Sequence, residues 1–322
     1  MTKIKKILFF GLGSIGTRHL KLLKKNYNYE IYAYRVKKDE PNEFVKNIYD
    51  FDEAVKIQPD IVFITNPTYL HINTALSCLR AGIKNFFIEK PLSHSLENLD
   101  IFSEEVKKSG ALVYVGYVMR HHPMIKYLKK LMEEMNQNIF YTQTKSSSFL
   151  PKWRPGVDYR KVYSSNRKQG GGVLLDLSHE FDYNQYLFGK IKSITGVYGK
   201  ISNLEIDSED FCDVFLKFER NIFATIHLDY FSNIDKRLIR ILTFKEEILA
   251  DLINKEIIID SNQGIKKKKF NFEINDIFEE QLKYFLDGVE KQSKEIDNLN
   301  ETKELLEKIL EFKNKNKMIT RK

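Results

Sequence analysis

Two cysteines in 322 residues, Cys78 and Cys212, are too few and too far apart to read as a disulfide framework, and they suit reduced thiols in a cytosol. Neither has metal-ligand spacing to a second Cys or His, so no zinc site is expected. Apolar runs are short. None reaches the roughly 18 to 20 residues needed to span a bilayer, and the run nearest the N-terminus is one strand long and enters a glycine turn, unlike a signal peptide. The expectation is a cytoplasmic chain with no membrane partner. Internal repeats and low-complexity linkers are missing, and there is a single tryptophan, Trp153. Acidic residues are outnumbered, 44 against 52 basic, for a formal charge of +8. A basic excess can mark nucleic-acid binding, but here it is scattered. Its densest stretch, Lys266 to Lys269, follows the turn Ser261-Asn262-Gln263-Gly264 without aromatic interleaving or a helix-turn-helix pattern. A solvated strand edge that resists pairing explains it, and no nucleic-acid partner is expected.

What is present is a glycine turn in a telling position. Ile7, Leu8, Phe9 and Phe10 lead into G-x-G-x-x-G at Gly11, Gly13 and Gly16, and helical periodicity follows at once. Gly11 permits the tight turn, Gly13 lets backbone approach a pyrophosphate, and Gly16 lets the helix pack close on the strand. The helix start at Ser14 and Ile15 offers N–H groups and a positive dipole to phosphates. These residues predict a dinucleotide site; a glycine turn needed only for packing is the bland alternative. At the end of the second strand an NAD enzyme usually carries an acid, whereas an arginine accommodates the 2′-phosphate of NADP. Here Arg35 stands there, with Lys37 and Lys38 close by and no acid before Asp39. NADP is favoured over NAD, although Arg35 could stack on the adenine of either.

Strands are predicted at Ile4–Phe10, Glu30–Tyr34, Asp60–Thr65, Asn85–Glu89 and Ala111–Tyr117, alternating with helices over Ser14–Lys25, Tyr69–Ala81 and Ser95–Lys108. Continuous apolar strands in β-α-β alternation indicate a parallel sheet covered on both faces. Past residue 120 the pattern changes. A helix over His122–Glu134 leads to a strand at Ile139–Phe149, a loop over Leu150–Lys168, and a helix opened by Gly170–Gly172 that runs to Phe188. Hairpin-connected strands fill Ile191–Phe272, and helices at Asp276–Val289 and Glu301–Asn314 close the chain. The fold class is therefore α/β. A doubly wound Rossmann domain over residues 1–119 precedes an α+β domain over 120–322 with an open, largely antiparallel sheet. The C-terminal helix is free to pack back on the first domain, and the cleft between the domains is the default active site.

Four segments in this order, GLGSIGTRH at Gly11–His19, TNPTYLH at Thr65–His71, EKP at Glu89–Pro91 and GGGVLLDLSHEFD at Gly170–Asp182, resemble the glucose–fructose oxidoreductase, inositol dehydrogenase and rhizopine catabolism family (Gfo/Idh/MocA) over essentially the whole chain. The segment LPKWRPGVDYRK further resembles a subgroup tied to sugars and nucleotide sugars of surface glycan synthesis. The resemblance implies nicotinamide-dependent oxidation or reduction of a sugar, cyclitol or related alcohol, in subunits paired through the open sheet as a homodimer or homotetramer. It implies that Lys90 faces the reacting alcohol, that Asp176 and His179 are the acid and histidine of the following helix, and that Thr65, Asn66, Pro67, His71 and Glu89 pass the cofactor, a core role being equally open to His71. The family spacing is D-x-x-x-H, whereas Asp176 and His179 are three apart, so His179 is aligned through its H-x-x-D spacing to Asp182.

The chemistry asks for the same residue types. Hydride loss from an alcohol is coupled to loss of the hydroxyl proton, which needs a base of suitable pKa; histidine titrates near neutrality, and a lysine polarises the developing carbonyl. At i, i+3 on one helix, Asp176 would share a face with His179 and orient it. Arg120, in Arg120-His121-His122-Pro123, would meet a substrate oxygen or form a domain-interface salt bridge. Trp153, Arg154, Asp158, Tyr159 and Arg160 combine an aromatic platform with charges suited to sugar hydroxyls and phosphates. Of the other histidines, His19 is expected to pack or bond locally, His94 to sit near a helix start, and His227 to be a satisfied strand residue. The alternative to an enzyme is a non-catalytic dinucleotide-binding sensor of the same fold; an imine or tetrapyrrole substrate fits the arginine- and tyrosine-rich loop less well.

Overall fold

Strand β1 (Lys6–Phe10) is apolar and buried from Ile7 onward because it runs through the middle of a sheet, with a neighbour on each side. The computed structural model describes residues 5–36, 42, 44–134 and 139–321. These divide into two units, residues 1–117 with 278–304 and residues 118–277 with 305–322. In the first unit β1 is followed by α1 (Ser14–Asn26), β2 (Glu30–Tyr34), β3 (Lys46–Ile48), α2 (Phe51–Lys56), β4 (Ile61–Ile64), α3 (His71–Arg80), β5 (Asn85–Glu89), α4 (Leu99–Ser109) and β6 (Leu112–Gly116). All six strands are parallel, in the order β3-β2-β1-β4-β5-β6. The order reverses between β1 and β4, the point at which open α/β sheets bind ligands beyond their carboxyl ends.

Phe9, Phe63 and Phe87 are register partners on β1, β4 and β5, and their rings stack with centroids 4.8 and 4.7 Å apart. Tyr114 on β6 continues the row, and Phe285 closes it edge-on. Two sequence readings are corrected here. The strand and helix at β3 and α2 were not foreseen, and α4 begins at Leu99 rather than Ser95. Ser95 Oγ accepts the N–H of Glu97, and Asn98 takes a left-handed φ of 58°; such local side-chain bonding competes with helix initiation.

The second unit contains α5 (Pro123–Glu134), β7 (Ile139–Phe149), α6 (Val173–Asp176), α7 (His179–Phe188), β8 (Ile191–Lys200), β9 (Phe211–Phe218), β10 (Phe223–Asp229), β11 (Phe231–Thr243), β12 (Glu246–Asp251), β13 (Glu256–Ser261) and β14 (Gly264–Lys269). Helices α8 (Ile274–Glu290) and α9 (Leu299–Lys315) come next in the chain, with residues 278–304 counted in the first unit, and then β15 (Ile319–Thr320) in the second. Nine strands form one sheet, β14-β13-β12-β11-β7-β10-β9-β8-β15. It is antiparallel except where β7 meets β10 and β15 meets β8. The four lysines lie on the edge strand β14, exposed, with Lys268 Nζ 3.9 Å from the Tyr127 ring centre. Among the described residues no helix is long and apolar enough to cross a membrane.

Alternation on β9 buries Cys212, Val214, Leu216 and Phe218 and turns Asp213 and Phe215 outward. On that outer face His227 sits between two carboxylates, Nδ1 2.8 Å from Asp213 and Nε2 3.0 Å from Asp229. The bond to Asp213, then that to Asp229, lifts the imidazole to about 9 against the opposing effects of burial and of Lys145. A folded pKa above the unfolded value of about 6.5 gives stability that is whole below that value and lost as pH rises through the folded one. Calorimetry from pH ~6.5 to ~9.5 should therefore show the wild type losing about 2–4 °C more than His227→Gln, a modest effect because solvent screens the pair. Parallel profiles would refute the assignment.

Candidate functional site

At the switch point the chain after β1 must turn sharply under the loop that follows β4. Gly11 takes φ +97°, and a Cβ there would lie 2.6 Å from the backbone of Asn66. Thr65 clasps the same turn: its N–H reaches Phe10 O at 2.9 Å and its hydroxyl donates to Gly11 O at 2.5 Å. Gly13 caps α1, so Ser14, Ile15 and Gly16 supply the opening amides of the helix. A Cβ on Gly13 would meet no atom within 4 Å. The space beside this turn is a cavity of about 490 Å³, bordered by Gly11, Tyr34, Arg35, Asn66, Pro67 and Thr74 among others. It can take an extended ligand beside the turn that leads into α1, and Arg35 stands on its wall where β2 ends. Lys37, Lys38 and Asp39 lie outside the described residues.

His71 joins the two loops that follow β4 and β5. Its ring is fully buried, with Nε2 2.9 Å from Asn66 O and Nδ1 3.0 Å from Pro91 O. Burial holds the imidazole below its ordinary pKa despite these carbonyls, so it is neutral at pH 7 and donates from one nitrogen at a time. Glu89 ends β5. One carboxylate oxygen is 2.7 Å from His19 Nε2, and the other accepts the N–H of Lys90 at 3.2 Å. Lys90 follows, half-buried, and its peptide to Pro91 is cis.

In the second unit the sequence reading of one continuous helix is corrected. Helix α6 stops at Asp176 and α7 starts at His179, because Ser178 and Glu180 donate to the carbonyls of Leu175 and Leu177, three residues back, and the regular ladder is interrupted. Asp176 and His179 therefore do not share a helix face. The Asp176 carboxylate is buried and receives three hydroxyls, from Ser164 at 2.6 Å, Tyr230 at 3.1 Å and Tyr163. None of the three was singled out from sequence; the signal available was that a buried acid after a glycine run must find donors. His179 is half-buried at the first turn of α7.

Arg120 grips Asp182 with two parallel bonds, Nε to Oδ2 at 2.9 Å and Nη2 to Oδ1 at 2.6 Å. Burial pushes the neighbouring His121 and His122 down to about 4, so both are neutral at pH 7. Trp153, Arg154 and Tyr159 come together around a pocket of about 10 Å³ that also reaches Ser164. Trp153 donates to Ser148 Oγ at 2.9 Å and stands edge-on to Tyr230, 5.2 Å away. The Arg154 guanidinium lies over the Tyr163 ring at 5.7 Å. Asp158 and Arg160 bond each other, and Arg160 also pairs with Glu205 at 2.8 Å on the exposed side. Sequence reasoning also missed Asn73, Thr74 and Ser77 on the cavity wall, although polar residues at i, i+4 on an otherwise apolar helix were visible.

Residues 5–117 match the oxidoreductase family with an NAD-binding Rossmann fold, and residues 143–245 match the GFO/IDH/MocA C-terminal domain. Over 307 residues the chain is 27% identical to a myo-inositol 2-dehydrogenase of Thermotoga maritima, covering 88% of each. Over 162 residues it is 28% identical to the scyllo-inositol 2-dehydrogenase (NADP(+)) IolW of Bacillus subtilis, covering 50% of this chain and 43% of that one. The solved structure of UDP-N-acetylglucosamine 3-dehydrogenase GnnA from Acidithiobacillus ferrooxidans shares the fold with a TM-score of 0.78 at 17% identity, covering 96% of both chains. Both halves of the family architecture occur here in order, and the chain belongs to the Gfo/Idh/MocA oxidoreductases.

Proposed function

We propose that the protein moves a hydride between NADP(H) and a hydroxyl-bearing carbon of a sugar, sugar phosphate or nucleotide sugar, in the synthesis of a surface glycan. The observation that carries this reading is the cavity at the β1/β4 switch point, with Gly11 and Asn66 on one side and Arg35 on another. The helix amides of Ser14, Ile15 and Gly16 would hold the pyrophosphate, and Arg35 the 2′-phosphate. A bound nicotinamide supplies the hydride acceptor or donor. Lys90 polarises the substrate oxygen, and His179 takes or returns its proton. Asp176, held by three hydroxyls, fixes the local geometry instead of exchanging protons itself. Trp153, Arg154, Tyr159 and Arg120 offer the stacking surface and charges that a phosphorylated or nucleotide-linked sugar needs.

A panel of cyclitols, free sugars, sugar phosphates and UDP-sugars, assayed with NAD+ and NADP+ for reduced cofactor, tests the reaction. Turnover on any of these supports it. Dinucleotide binding with no turnover across the panel, together with a co-purifying protein partner, would instead support the sensor reading. Arg35→Asp should weaken NADP+ affinity by tenfold or more relative to NAD+, because it removes a cation and adds repulsion at the 2′-phosphate (about 1.4 kcal/mol per tenfold). An unchanged preference ratio would refute the role of Arg35.

The outer face of the large sheet, where Phe215 is 42% exposed and stacks on Phe223 at 5.6 Å, is the surface through which two copies would pair in a homodimer or homotetramer in the cytoplasm. Light scattering should give a dimeric or tetrameric mass. A monomer would overturn this.

A further inference from the structure

We propose that His19 is a positioning residue for Lys90, acting through the Glu89 carboxylate. The inference rests on the reading of Lys90 as the group that meets the substrate oxygen. His19 lies on α1, the helix that follows the turn at Gly11 and Leu12 on the cavity wall, and it has no exposed surface. Its ring packs against Phe63, Phe87 and Phe278, at centroid distances of 5.8, 4.9 and 5.6 Å. In that apolar setting its Nε2 is 2.7 Å from Glu89 Oε1, while Nδ1 is buried with no hydrogen-bond partner among the described residues. The ring proton therefore belongs on Nε2, where it donates to the carboxylate; on Nδ1 it would be a buried, unanswered donor.

The second oxygen of Glu89 accepts the backbone N–H of Lys90 at 3.2 Å. One carboxylate thus ties the phosphate-side helix to the main chain of the lysine. The fold keeps room for it. Gly116, the register partner of Glu89 on β6, would with a Cβ sit 3.3 Å from Glu89 Oε1 and 2.9 Å from the Phe87 ring. A purely structural pair could be replaced by apolar side chains at no loss. Its placement one peptide before Lys90, between three aromatic rings and a glycine, instead suits a device that holds the Lys90 backbone in one orientation.

The test uses the full-length protein and the variants His19→Phe and His19→Gln; glutamine can place an N–H near the position of Nε2, and phenylalanine cannot. Lysines are reductively methylated with a 13C label, and the Lys90 signal is assigned by its loss in Lys90→Arg. Its titration is followed by NMR alongside NADH affinity and thermal unfolding. Without its donor the Glu89 carboxylate is free to turn away, and the Lys90 main chain loses the acceptor that holds it. The Lys90 midpoint should move by about half a pH unit or more in His19→Phe as its side chain takes up a new setting, and return to within ~0.2 of wild type in His19→Gln, with NADH affinity within about threefold throughout. Coincident Lys90 titrations in wild type and His19→Phe would overturn the proposal and leave His19 a packing residue. Should His19→Phe fail to fold, Glu89→Gln carries the same expectation for the Lys90 midpoint alone, and an unmoved Lys90 there is equally fatal. Wild-type turnover in Lys90→Ala would remove the catalytic reading while leaving this coupling measurable. An inactive Lys90→Ala with no coupling would remove only the coupling.

Discussion

Gly11→Ala should fail to accumulate as a stable protein, whereas Gly13→Ala should fold normally and lose its dinucleotide. The two glycines sit two residues apart in one turn, yet their surroundings differ. At Gly11 the backbone takes φ +97°, and a Cβ would press within 2.6–2.7 Å of main-chain atoms of Thr65 and Asn66, which cannot swing aside. The strained φ costs about 1–3 kcal/mol and the overlap a further ~1–3, a large part of a typical 5–15 kcal/mol of stability. At Gly13 the φ of −69° is open to any L-residue, and the Cβ would enter empty space. That space is where a pyrophosphate must lie if it docks on the α1 amides. An added methyl should then cost about 1–3 kcal/mol of binding, a ten- to hundredfold loss. Thermal unfolding separates the first effect, and titration with NADH and NADPH the second. Wild-type affinity in Gly13→Ala would mean that the phosphates do not pass this turn.

Lys90→Ala should reduce turnover by about a hundredfold or more, the loss typical of a positioned acid–base or electrostatic group. Cofactor affinity should move only a few-fold, since in the proposed site the turn at Gly11–Gly16 and the helix amides, not Lys90, would carry the phosphates. His179→Ala should also lower turnover and flatten the pH profile around neutrality, because a group able to titrate there is gone. With both replaced, the loss should be smaller than the product of the two, as happens when residues act on one proton. Steady-state kinetics on the best substrate of the panel, with folding confirmed by circular dichroism, decides. Near-normal turnover in both single variants would point to another catalytic pair.

Much of the first unit was legible because its signals are local. Strands β2 and β5 fall where apolar runs meet turn residues, and the glycine spacing fixes both a turn and a helix start. The short α2 was overlooked, although Asp50 and Glu53 stand at capping spacing and the Asp50 carboxylate does accept the Glu53 N–H at 2.8 Å. In the second unit, alternation revealed strands but not their neighbours. Nothing in the residues of β7 and β10 announces that they pair in parallel, from Tyr141 with Phe223 to Ser147 with Asp229, because side-chain period encodes a face and not a partner. The break between α6 and α7 was hidden for a different reason. Leu174, Leu177 and Phe181 keep helical spacing across it, and the bonds that interrupt the ladder are backbone ones that composition does not record. The donors around Asp176 come from positions 163, 164 and 230, and only the folded chain brings them together.

The two outermost strands of the large sheet end it in different ways. On one side β14 presents lysines; on the other, β15 lies along β8, pairing Ile319 with Gly199 and Thr320 with Lys200. Like charges discourage a stranger from zipping onto the first border, and the chain's own tail occupies the second. Both borders of the sheet thereby discourage lateral growth. The segment past Asn316 therefore acts as a seal: without Ile319 and Thr320, an unsatisfied edge on β8 would be open to aggregation.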